Sequence, residues 1–327
     1  MPQGTAEEID SLLNASERAN AFAVPQTVQL RQRMSRLVAQ GKLASPAPGI
    51  FVRKQRWESL KPRARHLALL RSLAQKHPDW VFCGPSAAVV HGLAVSHSQL
   101  KQVHVARTGK AGHRETALVD WRYVRAVAPQ MALGLRVTPI VDTVADCLRT
   151  SSLRDGLPVA DSLLRNMGGD ATWLAEKMDA LCARRRGRGQ AVATATLADG
   201  RAENGGESLA RAIMYELGYR MPDLQVVITN TFDGTRPRVD FYWELDDGLK
   251  VAGELDGREK YQNPAMLAGR STVDALSDER LRESRITRDT HVMRFSYKDM
   301  CNEARFARLL DYYRIPRDGL GWPLPTR

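Results

Sequence analysis

Asp240, Glu254 and Asp256 are acids placed where a β-hairpin would crowd them together. Asp240 lies in Arg238-Val239-Asp240-Phe241, and the other two lie in Gly253-Glu254-Leu255-Asp256-Gly257. Between the two segments runs Asp246-Asp247-Gly248, a hairpin turn signal. With those three residues as the loop, Leu245 faces Leu249 and Asp240 falls opposite Glu254. Cross-strand partners project from one sheet face with Cβ atoms about 5 Å apart. Asp256 follows Glu254 by two residues and shares that face. Like charges so placed repel unless a cation or a proton intervenes. The pattern therefore points to a divalent-metal site built on hard oxygen donors.

The elements that must position these acids are legible around them. Residues 203–217 read as a helix stopped by Gly218, followed by strands over 224–229, 236–244 and 249–256. A helix over 277–286, a strand over 291–295 and a helix over 302–312 complete a domain spanning 200–327. Strand alternation sends Phe241 and Trp243 into a core behind the carboxylate face. Arg280, Arg282 and Arg285 either hold backbone phosphates or pair with Glu279 and Glu283 on their own helix. The expected class is α/β (α+β).

Residues 1–57 carry a different signal. Segments 6–13 and 16–23 read as short helices and 26–40 as a longer one, with Leu30, Met34, Leu37 and Val38 as its apolar stripe. Gly41 ends it, and 42–52 read as two short strands around Ser45-Pro46-Ala47-Pro48-Gly49. Three helices and a β-ribbon form the order of a winged helix-turn-helix, whose recognition helix would expose Thr27, Gln29, Arg31, Gln32, Arg33 and Arg36 to DNA.

Charge favours the same partner. The chain has a formal net charge of +11 over 327 residues. Residues 201–327 hold 20 Lys and Arg against 21 Asp and Glu, so the whole excess lies in residues 1–200. Residues 26–76 contain twelve Lys and Arg and a single acid, Glu58. Such a bias suits a polyanion and predicts salt-sensitive binding.

Residues 58–199 read as a mixed α/β connector. His91, His97, His104 and His113 have no metal-ligand spacing and no acidic companions. The run Arg184-Arg185-Arg186-Gly187-Arg188-Gly189 reads as an exposed junction, either touching a phosphate backbone or solvated. Four scattered cysteines suggest no disulfide or zinc framework. There is no N-terminal signal pattern and no apolar run near the roughly 18 residues of a membrane span. The expectation is a cytoplasmic protein with no membrane association.

Two resemblances add to this reading. The C-terminal order, with Glu207-Ser208 on the first helix, Arg238-Val239-Asp240-Phe241, Gly253-Glu254-Leu255-Asp256-Gly257 and Arg294-Phe295, resembles the PD-(D/E)XK nuclease superfamily, in its branch related to very-short-patch-repair endonucleases. The N-terminal two-thirds is similar to AbiEi-type antitoxin and abortive-infection regulators. That likeness is carried by Gly49-Ile50-Phe51-Val52, by Gly84-Pro85-Ser86-Ala87-Ala88 to His91-Gly92-Leu93, and by Val137-Thr138-Pro139 leading to Thr143-Val144-Ala145-Asp146.

The nuclease likeness implies that Asp240 and Glu254 bind Mg²⁺ or Mn²⁺, with Glu207 completing or positioning the site from the first helix. A lysine in that family sits where Asp256 stands here, and Lys260 is the residue that would fold back to replace it. The implied function is phosphodiester hydrolysis in DNA, in a phage-defence or toxin–antitoxin context. The alternative is a transcriptional repressor carrying an inactive nuclease fold. A cognate toxin or defence protein, and a second copy of the chain reading a paired half-site, are the implied protein partners.

Overall fold

The computed structural model describes residues 3–109, 117–124, 128–229, 234–256 and 290–318. The chain forms two compact units, Met1–Ser151 with Ala175–Ala193, and Ser152–Leu174 with Thr194–Arg327. The segment 58–199 is therefore shared between them, because the helix following Ser152 packs with the C-terminal elements.

The first unit opens with α1 (Gln3–Arg18), a single helix where two short ones were expected. Asn20, at φ 49°, turns the chain sharply, and Ala21–Pro25 run buried and non-helical. Ala23 bridges Phe51 in antiparallel fashion. Burial of these apolar residues thus overrides the helical tendency of 16–23. Helix α2 (Val28–Ala39) follows, capped by the Thr27 hydroxyl, which accepts from the Leu30 amide. Strands β1 (Leu43–Ala47) and β2 (Ile50–Arg53) form the expected antiparallel ribbon. Leu30, Met34, Leu43 and Phe51 pack with Ile9 and Leu13, so the apolar stripe of α2 faces inward as its spacing required.

Two more helices, α3 (Lys54–Ser59) and α4 (Pro62–Lys76), follow the ribbon. Lys61 is extended, as the residue before a proline tends to be, and α4 restarts with Pro62 in its first turn. The rest of the unit surrounds a small sheet. Strands β3 (Val103–Arg107) and β4 (Val119–Tyr123) pair in parallel, and β5 (Gln130–Ala132) and β6 (Leu135–Val137) pair antiparallel. Phe82 bridges both β3 and β6. Helices α5 (Gly84–Val90) and α6 (Ile140–Thr150) belong to this unit.

The second unit contains α7 (Leu153–Met167) and α10 (Gly205–Glu216); α8 (Ala171–Leu181) and α9 (Arg188–Thr196) come between them in sequence. A four-stranded sheet follows, formed by β7 (Asp223–Val227), β8 (Arg238–Glu244), β9 (Lys250–Asp256) and β10 (His291–Ser296), in the order β10-β9-β8-β7. The first three strands are an antiparallel meander, and β10 lies parallel to β9. Short α11 (Tyr297–Met300) and α12 (Glu303–Tyr312) end the described chain. The core combines Ile213 and Met214 of α10, Phe241 and Trp243 of β8, Met293 and Phe295 of β10, and Phe306 of α12. A Cβ at Gly253 would sit 3.0 Å from the Trp243 ring and 3.1 Å from Phe241 Cβ, so the bare strand makes room for both aromatics. The expected helix over 277–286, with its arginines, and Lys260 lie outside the described residues.

Candidate functional site

The hairpin closes as the turn signal required: the Leu245 amide donates to the Leu249 carbonyl, and Phe241 pairs with Gly253. Continued one residue past Phe241–Gly253, the same register sets Asp240 opposite Glu254. Phe241 and Trp243 are buried on the opposite face. Asp240 accepts a hydrogen bond from the Leu255 amide at 3.0 Å, which holds its carboxylate over the strand end.

Glu207 reaches this region from the first turn of α10. Asn204 caps the helix, its side-chain oxygen accepting from the Gly206 and Glu207 amides. Its amide nitrogen donates to Glu207 Oε1. Glu207 Oε2 accepts from the Glu203 amide at 2.8 Å and from Gln225 Nε2 at 3.1 Å. Glu207 is only 2% exposed. Burial pushes its carboxyl up to about 7, the Asp240 charge adds to the rise, and the two donors hold it back.

The sequence reading assigned no site role to two further contributors, Gln225 and Arg294, although Arg294 lies in the Arg294-Phe295 pair that carries the nuclease likeness. Gln225 projects from an irregularity in β7: its φ is 55°, and the register with β8 skips from Leu224–Phe241 to Val226–Val239. Nothing in the local sequence signals a left-handed glutamine. Arg294 lies opposite Glu254 in the parallel β9–β10 pair. Its guanidinium is 3.1 Å from Glu254 and 3.7 Å from Asp256. Alternation with buried Phe295 would have placed Arg294 on this face, but the pairing of β10 with β9 is non-local and has no sequence mark.

The donor set matches a hard cation. Among the described residues no group of three His, Cys, Asp or Glu converges tightly enough to enclose an ion. Mg²⁺ does not need such a cage: it commonly takes one or two protein carboxylates and completes its shell with water and phosphate oxygens. Asp240 and Glu254 offer that pair. Arg294 competes for Glu254, and Asp256 adds no positive charge where a lysine would.

The first unit presents a second candidate surface. Thr27, Gln29, Arg31, Gln32 and Arg36 are exposed and Arg33 is half-buried. Thr27 also has a structural task as the α2 cap. Lys76, from the end of α4, donates to the Pro48 carbonyl in the β1–β2 turn at 2.6 Å. Its ammonium is held below the usual lysine range by partial burial and by the nearby Arg31 charge. Lys76 is thus part of the basic face although it lies far from α2 in sequence.

His66, His91 and His104 are held by hydrogen bonds within the first unit. Ser86, fully buried, lies 3.0 Å from His66 Nε2 and 3.2 Å from His104 Nδ1, and it accepts from the His104 amide at 2.9 Å. His66 Nδ1 faces the Leu100 carbonyl at 3.2 Å. With the Ser86 proton given to His66 Nε2, both rings are neutral and carry their proton on Nδ1. Burial lowers His66 to about 4 and His104 to about 3. His91 instead bonds the Thr138 carbonyl at 2.8 Å, and His97 is exposed. His113 lies outside the described residues.

No helix among the described residues is long and apolar enough to cross a membrane. No protein-family model matches the chain. No solved structure matches it either. The chain is 28% identical over 188 residues to the uncharacterized proteins MT2308 and Rv2248 of Mycobacterium tuberculosis, strains CDC 1551 / Oshkosh and ATCC 25618 / H37Rv; the aligned stretch covers 57% of this chain and 65% of each of those relatives.

Proposed function

We propose that this protein is a DNA-binding, Mg²⁺- or Mn²⁺-dependent endonuclease of the PD-(D/E)XK type, joined to an AbiEi-like winged-helix unit. One observation carries the reading: Asp240 and Glu254 share a sheet face on adjacent strands, and the buried Glu207 carboxyl lies near enough to feel the Asp240 charge. Asp240 and Glu254 would hold the ion. When bound, Mg²⁺ supplies neutralisation of phosphate charge and activation of water for attack on the phosphodiester. Glu207, whose carboxyl burial pushes up, would stand beside Asp240 as a proton donor or acceptor for the reaction. Arg294 offers a guanidinium fork to a phosphate oxygen. Arg31, Arg33, Arg36 and Lys76 would hold the duplex backbone, and Gln29 and Gln32 would face base edges. A bacterial defence or toxin–antitoxin setting, with a cognate toxin or a second copy as protein partner, follows from the same resemblance.

A second reading, a DNA-binding repressor with an inactive nuclease fold, is favoured by the Arg294–Glu254 pair. An internal cation already neutralises one proposed ligand there, and Asp256 replaces the family lysine. Plasmid cleavage by purified protein in Mg²⁺ or Mn²⁺, beside Asp240→Ala, separates the two. Nicked or linear product from the wild type alone is the expected result. Intact plasmid from both proteins in either ion, with duplex binding retained, would establish the repressor reading instead.

A further inference from the structure

We infer that an arginine-lined cleft in the first unit, separate from the α2 face, binds the adjacent phosphates of a nucleotide. The cleft has a volume of about 540 Å³, within the usual range of small-ligand sites, and Arg122, Arg149, Arg184, Arg185 and Arg186 line it. Two of these guanidinium groups are already neutralised. Arg122 pairs with Asp120 at 2.9 Å and Asp146 at 3.0 Å, and Arg149 pairs with Asp146 at 2.6 Å. Arg184, Arg185 and Arg186 form no ion pair among the described residues. Arg185 makes only a long hydrogen bond, 3.4 Å, to the Tyr123 carbonyl. The cleft therefore carries an excess of three positive charges.

The turn that carries them is built against α6. Gly187 has φ 84°, and a Cβ there would lie 2.0 Å from the Arg149 carbonyl oxygen, so only glycine lets the turn approach this closely. Three neighbouring guanidinium groups held beside two fixed ones suit adjacent phosphates, whose oxygens accept charge-assisted, often bidentate, hydrogen bonds. Tyr123 also lines the cleft and is 51% exposed, an aromatic face open to a base. The phosphates belong either to a free nucleoside polyphosphate or to a nucleic-acid strand.

The full-length wild type, Arg184→Gln/Arg186→Gln and Tyr123→Ala are tested with inorganic pyrophosphate, ATP and a fluorescent DNA duplex. All three replaced residues are exposed, and equal melting temperatures without ligand check the fold. For a free nucleotide, pyrophosphate and ATP bind the double variant at least about tenfold more weakly, and Tyr123→Ala weakens ATP but not pyrophosphate. For a strand, the salt slope of duplex binding falls by about 2 in the double variant, roughly 0.9 for each lost phosphate contact. A wild type that binds none of the probes, or a double variant matching it with all of them, would overturn the proposal. Asp240→Ala keeps either response, so the outcome is independent of cleavage.

Discussion

Glu207 and the two buried histidines respond oppositely to pH. The folded-state value of Glu207, about 7, lies above its unfolded value near 4.5. Its contribution is therefore complete below about pH 4.5 and is lost as pH rises to 7, at about 1.4 kcal/mol for each unit. Denaturation of wild type and Glu207→Gln across this window should show the wild type losing ground as pH rises; a constant difference would refute the shift. His66 and His104, lowered to about 4 and 3, have the reverse sign. The unfolded chain binds their protons first, so acidification below about pH 6.5 destabilises the first unit. Replacing Ser86 by Ala should cost about 1–3 kcal/mol in urea melts, by leaving buried ring nitrogens without their partner. An unchanged midpoint would show that the network contributes nothing.

At the scale of elements, α10 is held to α7 by a buried ion pair. Arg211 donates to Asp161 at 2.7 Å and to the Leu197 carbonyl at 2.7 Å, while Asp161 accepts from the Asp199 amide at 2.8 Å. Asp161 is fully buried, so Asp161→Ala strands a guanidinium in the interior and should cost roughly 3–5 kcal/mol. Because α10 carries Glu207, the same variant should also disturb the proposed metal-dependent cleavage. Replacement of both partners by apolar residues should recover much of the stability. A single variant with an unaltered urea midpoint would contradict this account.

The hairpin shows how far local sequence reaches at this scale. The turn Asp246-Asp247-Gly248 and the period-two alternation of β8 and β9 suffice to define the register that brings Asp240 beside Glu254. The segment 16–23 shows the limit. Its composition favours helix, yet the chain turns at Asn20 so that Ala21, Phe22 and Ala23 can be buried, and the Ala23–Phe51 bridge becomes available. Burial against residues distant in sequence outweighs a propensity worth tenths of a kcal/mol per residue.

For the whole molecule, the charge asymmetry is the governing quantity. The excess over residues 1–200 predicts duplex binding that weakens steeply between about 50 and 200 mM salt. Arg31→Ala and Arg36→Ala should each lower the salt slope by about 0.9 and weaken all duplex sequences alike, if these residues hold phosphates. Gln29→Ala or Gln32→Ala should instead alter preference among sequences. Salt-independent binding would remove the polyanion argument.

By itself the sequence determined what depends on neighbours along the chain. The hairpin register, the inward stripe of α2, the stop at Gly218 and the division into basic and near-neutral halves all follow from short-range patterns. Tertiary structure decided what depends on pairings between distant segments. It set Arg294 against Glu254 through the parallel β9–β10 contact, turned Gln225 toward Glu207 through a left-handed residue, and brought Lys76 to the β1–β2 turn. It also gathered Arg122, Arg149 and the 184–186 turn around one cleft. The physical reason is common to all four: contact between distant residues is fixed by packing, which no local period or spacing records.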